Sequence, residues 1–351
     1  MRFRTLSQIA AIAAAGLILA LPAGAQNPNW PKSLTLGTAS VGGVFAVYGQ
    51  VWANIAGDAI KVPISTRQTD GPNHNIILTD AKQVEFGMTT MGVALQAWNG
   101  SGDWTKGRKF QNVRAIFPMY GTVFHFVTTD RTGIAKVADL AGKNVGVGPR
   151  AGTPGTYFPL IFEALGIKVA AIRNGGASDM SSQLGDGLID TFAFAAGLPF
   201  PAYSEVEATR TVRFFTFSKA EIATLKQKFP ELSDDVVPKG TYKTLTEDHA
   251  TVGVFNFAIA HKDVPADLVY GVVKAVMENN SRMVQGHAAA KETLPKNFDK
   301  NTLPSLPPGS GEVLQRKGLQ DRSETRSGEL MIGGRARRSN WAASPSLPAA
   351  P

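Results

Sequence analysis

Two rhythms of apolar and polar positions alternate along residues 33–290. Apolar runs of strand length occur at 33–38, 61–66, 84–89, 113–118, 122–128, 143–148, 168–173, 189–194, 211–217 and 251–261. Helical periodicity fills the intervals near 44–56, 73–81, 91–98, 156–165, 177–186, 200–207, 219–229 and 265–287. Runs such as Val145-Gly-Val147 and Thr191-Phe-Ala-Phe-Ala195 lack a polar face, as strands buried on both sides do. The alternation predicts an α/β protein of mixed, mainly parallel sheet flanked by helices, with its ligand at the carboxyl ends of strands.

Two of these strands run into small-residue turns that open helices. One reads Leu34-Thr-Leu-Gly-Thr38-Ala-Ser40-Val-Gly42-Gly43, the other Val145-Gly-Val-Gly148-Pro-Arg150-Ala-Gly-Thr153-Pro-Gly155-Thr156-Tyr157. Glycine lets a ligand approach the backbone, and the unpaired N–H groups of a helix start favour an anion. A matched pair on separate units predicts two lobes clamping a small anion. The chain is expected to cross near Val127–Thr129 and again after Phe214–Phe217. Lobe I then comprises 26–127 and 218–302, and lobe II comprises 128–217.

The first 25 residues read as an export signal. Arg2 and Arg4 precede an apolar run from Ile9 to Leu21 and then Ala23-Gly-Ala25. Those 13 apolar residues fall short of the about 20 that span a bilayer. Cleavage is expected near Ala25–Gln26, with the mature protein in the periplasm. The net charge of +8 carries no nucleic-acid signal. Arg2 and Arg4 supply +2, and residues 303–351 supply +3 from seven Lys/Arg against four acids, which leaves +3 spread over 26–302. The absence of cysteine excludes disulfides and thiolate metal sites.

Catalytic patterns are missing. His74, His125, His249, His261 and His287 show no metal-ligand spacing, and no G-x-S-x-G elbow occurs. Gly146-Val-Gly148-Pro-Arg-Ala151 fits a dinucleotide fingerprint, but the next strand ends in Ala170-Ala-Ile-Arg173 without the ribose-binding acid. No enzyme activity, metal or cofactor is expected.

The motifs together resemble the TAXI-type solute-binding subunits of TRAP transporters. The matching stretches are the Gly37–Phe45 turn, Thr69-Asp-Gly-Pro-Asn-His-Asn75, Phe86-Gly-Met-Thr-Thr90, Asp139–Gly148, Leu184–Phe194, Gly197-Leu-Pro199 and Val236–Tyr242. The resemblance implies a two-lobed, type II-like periplasmic binding protein fold with the ligand cleft between the lobes. It also implies a monomer that binds a small carboxylate such as glutamate or 2-oxoglutarate for a TRAP-type integral membrane subunit. Carried over by motif, Thr38, Ser40, Gly42, Gly43, Thr69, Thr89 and Thr90 contact the ligand from lobe I. Thr153, Gly155, Thr156 and Tyr157 face them from lobe II, with Phe194 and Pro199 near the hinge. The Arg150–Thr156 turn departs from the family's Gly-Ser-Gly-Thr-like turn. Arg67 and Arg150 are the basic residues nearest the cleft elements, and either could pair a carboxylate through a two-pronged fork. An ABC-type receptor of similar fold and a ligand-sensing module for a membrane receptor are the alternatives.

Residues 303–351 are rich in Pro, Gly, Ser and Arg and lack apolar periodicity, the composition of a disordered tail. Codons exist for Leu303–Gly318 that, read one base later, give Phe-Pro-Pro-Phe-His-Pro-Gly-Pro-Val-Lys-Tyr-Phe-Lys-Glu-Lys-Gly. That run is similar to the closing segment of the family, so the tail is expected to be out-of-frame translation from about Thr302.

Overall fold

A computed structural model describes residues 27–301. The expected leader at 1–25 and the expected frame-shifted tail at 303–351 lie outside the described residues.

The chain begins with β1 (Leu34–Gly37), α1 (Val44–Ile60), β2 (Ile64–Arg67), α2 (Pro72–Asp80), β3 (Phe86–Thr90) and α3 (Met91–Asn99). A long strand, β4 (Val113–Thr129), follows. Next come β5 (Asn144–Gly146), α4 (Thr153–Ala164), β6 (Ala171–Arg173), α5 (Ala177–Asp186), β7 (Thr191–Ala196) and α6 (Pro201–Thr209). The described chain closes with β8 (Val212–Phe215), α7 (Lys219–Lys228), β9 (Ser233–Val237), β10 (His249–His261), α8 (Ala266–Glu278) and α9 (Asn280–Gly286). Pro154 starts α4, where its fixed φ is already helical and its missing N–H is no loss. Ser218 and Glu221 form a reciprocal capping box on α7. The single helix expected over 265–287 breaks at Asn279. Its side-chain amide donates to the Ala275 carbonyl (2.8 Å), diverting the backbone from a continuous helix.

All ten strands join one curled, mixed sheet in the order β2-β1-β3-β10-β4-β7-β5-β6, with β8 also on β4 and β9 also on β10. Pairing is parallel within β1–β3 and within β5–β7. Every antiparallel pair involves β4 or β10. These two strands run from one half of the sheet into the other. β4 pairs with β10 over 113–123, then with β7 and β8 towards Thr129.

Two register shifts punctuate the β4–β10 ladder. Ala258 pairs Phe117 while Ile259 pairs Ala115, leaving Ile116 as an extra residue in β4. Phe255 pairs Gly121 while Phe257 pairs Pro118, so Asn256 faces both Met119 and Tyr120. An extra residue leaves ladder groups unpaired and bends the strand. Asn256 meets one such group by donating to the Tyr120 carbonyl (2.7 Å).

Each face of the sheet carries a core. α1 and α8 cover one, where Trp52 packs edge-on against Phe86 (5.7 Å between centroids) and Phe117 (5.6 Å). α3, α4 and α7 cover the other, where Phe126 meets Phe158, Phe215 and Phe217. α8 buries Leu268, Val269, Val272, Val273 and Val276, the spacing of one helical face.

His125 lies in an aromatic cluster beside Phe200, Tyr203 and Tyr242. Its Nδ1 faces the Val123 carbonyl (3.1 Å) and therefore carries the proton, while Nε2 accepts from the Tyr242 hydroxyl (2.9 Å). Burial pushes its pKa from 6.5 down to about 3. Below pH 6.5 the unfolded chain therefore takes up a proton that the folded state refuses until about pH 3. Stability falls as pH drops through that window, by about 2 kcal/mol between pH 7 and pH 5. Denaturant titrations should find this slope flattened in His125→Gln, and an unchanged slope would assign it to other groups.

Candidate functional site

A cleft opens where the helix starts of the two halves meet. Its walls include Ser40 and Gly43 before α1, Gly71 and Pro72 at α2, Thr90 before α3, and Gly152 and Thr153 at α4. Phe194–Gly197 at the end of β7 and Tyr120 and Thr122 on β4 complete it. The cleft holds a volume of about 50 Å³, several times the roughly 10–15 Å³ that one water needs.

The local sequence explains the convergence. β1 and β3 are parallel to each other in one half of the sheet and β5 is parallel to β7 in the other, and each of β1, β3 and β5 ends in a turn and a helix, so helix N-termini reach the cleft from both halves. α1, α2, α3 and α4 all begin without a side-chain cap. The positive ends of their dipoles therefore favour an anion nearby, although α2 begins with Pro72, which has no N–H, and its Asn73 N–H is taken by the Ala151 carbonyl. Thr90 occupies the cap position of α3 but turns its hydroxyl to that of Thr153, 3.0 Å away across the cleft.

Other contacts also join the halves. The Ala177 N–H at the start of α5 donates to Ser40 Oγ (3.2 Å), and the Ser178 N–H donates to the Val41 carbonyl (3.3 Å). Asn73 and Thr156 bond through their side chains (3.0 Å), and the Asn73 N–H donates to the Ala151 carbonyl (3.2 Å). Gly42 has φ +80°, a left-handed conformation, and lies directly on Ser178. A Cβ there would stand 2.3 Å from Ser178 Oγ and 2.9 Å from its backbone nitrogen.

Among the residues expected to contact a ligand, Ser40, Gly43, Thr90, Thr153 and Phe194 line the cleft. Phe194 is stacked on Phe200 at 4.3 Å. Thr38 and Thr69 lie behind the wall: the Thr38 hydroxyl donates to the Arg67 carbonyl (3.1 Å), and the Thr69 hydroxyl reaches the Thr38 carbonyl (2.9 Å). Asn75 ties the same loops by donating to the carbonyls of Thr38 and Met88, both at 2.8 Å. Thr89 is fully buried within β3, and Gly155 packs against its own turn, where a Cβ would meet the Pro149 carbonyl at 2.2 Å. Tyr157 points away into the core, packing on Phe124 and donating to Glu231 Oε1 (2.7 Å). Pro199 stands outside the cleft, with its carbonyl 3.1 Å from His287 Nε2. Arg67 and Arg150 are exposed, and neither lines the cleft.

Sequence reasoning missed Tyr120 and Thr122 of the lining. The polar-to-apolar break at Met119–Gly121 reads as a turn between two strands, whereas β4 continues through it. Among the lining residues only Asp70 and Tyr120 carry ionisable side chains. Among the described residues no group of three His, Cys, Asp or Glu gathers to hold a metal ion.

Solved structures share this architecture. The periplasmic binding protein BugD is 12% identical, with a TM-score of 0.55 over 86% of this chain and 99% of that one. MatC from Rhodopseudomonas palustris, solved with bound malate, is 11% identical, with a TM-score of 0.55 over 81% of this chain and 96% of that one. An R. palustris protein solved with adipate is 14% identical, with a TM-score of 0.52 over 86% of this chain and 99% of that one. These likenesses show the two-lobed periplasmic binding protein fold. A family model covers the sequence that builds it, matching residues 36–318 from β1 through the last described helix and beyond. By that match, the chain belongs to the NMT1-like family.

Proposed function

We propose that the protein is an extracytoplasmic solute-binding protein that closes two lobes over a small carboxylate without converting it. One observation carries this reading: four uncapped helix starts, three from one half of the sheet and one from the other, converge on a single cleft. Each such terminus favours a nearby anion by about 0.3–1 kcal/mol, more when partly buried. Malate and adipate in the similar folds support a carboxylate. The leader-like N-terminus and the binding-protein fold support an extracytoplasmic location.

Within this reading Ser40, Gly43, Thr90, Thr153 and Phe194 touch the ligand, while Thr38, Thr69, Thr89 and Thr156 hold the wall in shape. The lobes are taken to divide where β4 and β10 change partners, near Gly121 and Gly253, rather than at 127/128 and 217/218. The TAXI-like motifs support delivery to a TRAP-type membrane subunit.

Calorimetry with a panel of carboxylates tests the reading. At least one should bind without turnover. Arg67→Ala and Arg150→Ala should each change its affinity by less than about twofold, under roughly 0.4 kcal/mol. A tenfold loss in either variant would move the anion from the helix starts to that guanidinium. Product formation would overturn the binding-protein reading.

A further inference from the structure

Two places in the cleft wall hold a hydroxyl proton that no described residue takes. Thr122 Oγ1 accepts from the Asn256 amide (2.7 Å), and among the described residues its own proton goes to no protein acceptor. Thr90 and Thr153 share one hydrogen bond between their hydroxyls (3.0 Å), so one of their two protons is left over. All three threonines line the cleft, and none is more than 3% exposed. Thr90 stands opposite Asn256 in the β3–β10 ladder, and Asn256 reaches Thr122 from the same face of the sheet. Buried hydroxyls that already accept and still have a proton to give suit a partner that only accepts, as a carboxylate does.

The rest of the cleft limits what that carboxylate can be attached to. No lining residue is Lys, Arg or His, and the only lining carboxylate belongs to Asp70. A second carboxylate on the ligand would be buried with no cation to pair with and would meet a charge of its own sign. Val44, Phe45, Pro149, Pro154 and Phe194 make much of the remaining wall apolar. Size is restricted too. The Thr90–Thr153, Ser40–Ala177 and Val41–Ser178 hydrogen bonds tie the halves together around a space of about 50 Å³, the room of a few waters. A long chain could enter only by breaking those bonds.

Resting on the carboxylate reading above, we infer that the ligand is a monocarboxylate with a short apolar chain, rather than a dicarboxylate such as glutamate or 2-oxoglutarate. Its carboxylate accepts from Thr122 and from whichever of Thr90 and Thr153 keeps a free proton. Its chain packs on Phe45 and Phe194.

The test measures pentanoate, octanoate, butanedioate and glutamate by calorimetry on the wild type, Thr122→Val and Thr122→Ser. The wild type should bind pentanoate at least about tenfold more tightly than each of the other three. Thr122→Val keeps the shape of the side chain but loses its O–H, and should weaken pentanoate more than about fivefold. Thr122→Ser restores the O–H and should return pentanoate to within about threefold of the wild type. Equal or tighter binding of a dicarboxylate or of octanoate overturns this inference while leaving carboxylate binding intact, and so does wild-type pentanoate affinity in Thr122→Val. Should Thr122→Val fail to fold, the comparison of the four acids on the wild type decides alone. If no carboxylate binds at all, the proposed function falls and the inference with it.

Discussion

Gly42→Ala is expected to weaken ligand binding at least tenfold, or about 1.4 kcal/mol. The residue sits at φ +80°, and the added methyl would overlap Ser178 of the opposite half, including its backbone nitrogen. A flexible side chain can swing away from a clash, but the start of α5 cannot move without losing the Ser40–Ala177 and Val41–Ser178 hydrogen bonds. The closed arrangement therefore suffers while an open one does not. The left-handed backbone adds its own cost, about 1–2 kcal/mol for a non-glycine residue, which lowers stability with or without ligand. Gly133→Ala separates the two effects, because Gly133 has φ +69° with nothing within 4 Å of the added carbon. That control should lose a similar increment of stability and keep its affinity. Calorimetry showing wild-type affinity in Gly42→Ala would mean that these two turns do not need to touch for binding.

Trp52→Ala should cost about 3–5 kcal/mol of folding stability. The indole is fully buried on α1 and is held edge-on by Phe86 of β3 and Phe117 of β4, so its loss leaves a cavity walled by strands that cannot collapse. Its N–H is buried without a partner. Trp52→Phe should therefore lose much less, since it trades ring volume for the removal of an unsatisfied donor. Urea unfolding of both variants reads this directly. A loss below about 1.5 kcal/mol in Trp52→Ala would show that α1 repacks onto the sheet.

Elements written as continuous apolar runs were legible in the sequence. Thr191–Ala196 is a strand buried on both faces. Helical spacing was legible too: Ala177, Met180 and Leu184 mark the buried face of Ala177–Asp186, a helix at the predicted bounds. The turn-and-helix units at Gly37–Val44 and Gly148–Thr153 were visible because glycine, serine and threonine mark helix starts regardless of tertiary context. β9, Ser-Asp-Asp-Val-Val, carries no strand pattern, because what makes it a strand is the edge of β10 rather than its own composition. The role of Ser40 was equally hidden. A serine two residues before a glycine pair reads as a cap for its own helix, yet its oxygen accepts from the start of α5, 137 positions away. Tyr120 and Asn256 were invisible for a related reason. Tyr120 lines the cleft and Asn256 holds its carbonyl at a register shift between two strands, and register is a property of the pair, not of either sequence.

The long crossing strands have a consequence for the order in which the molecule can be completed. Val254 pairs Thr122, so the chain leaves the first half of the sheet and returns to it at one point. Everything that builds β5 to β8 lies between those positions and can assemble as soon as it exists. The first half cannot, because β10, made late, fills the gap between β3 and β4. Until residue 249 and those after it emerge, the Phe86–Thr90 strand keeps an open, wholly buried-type edge looking for a partner. The half that begins first is thus the half that finishes last.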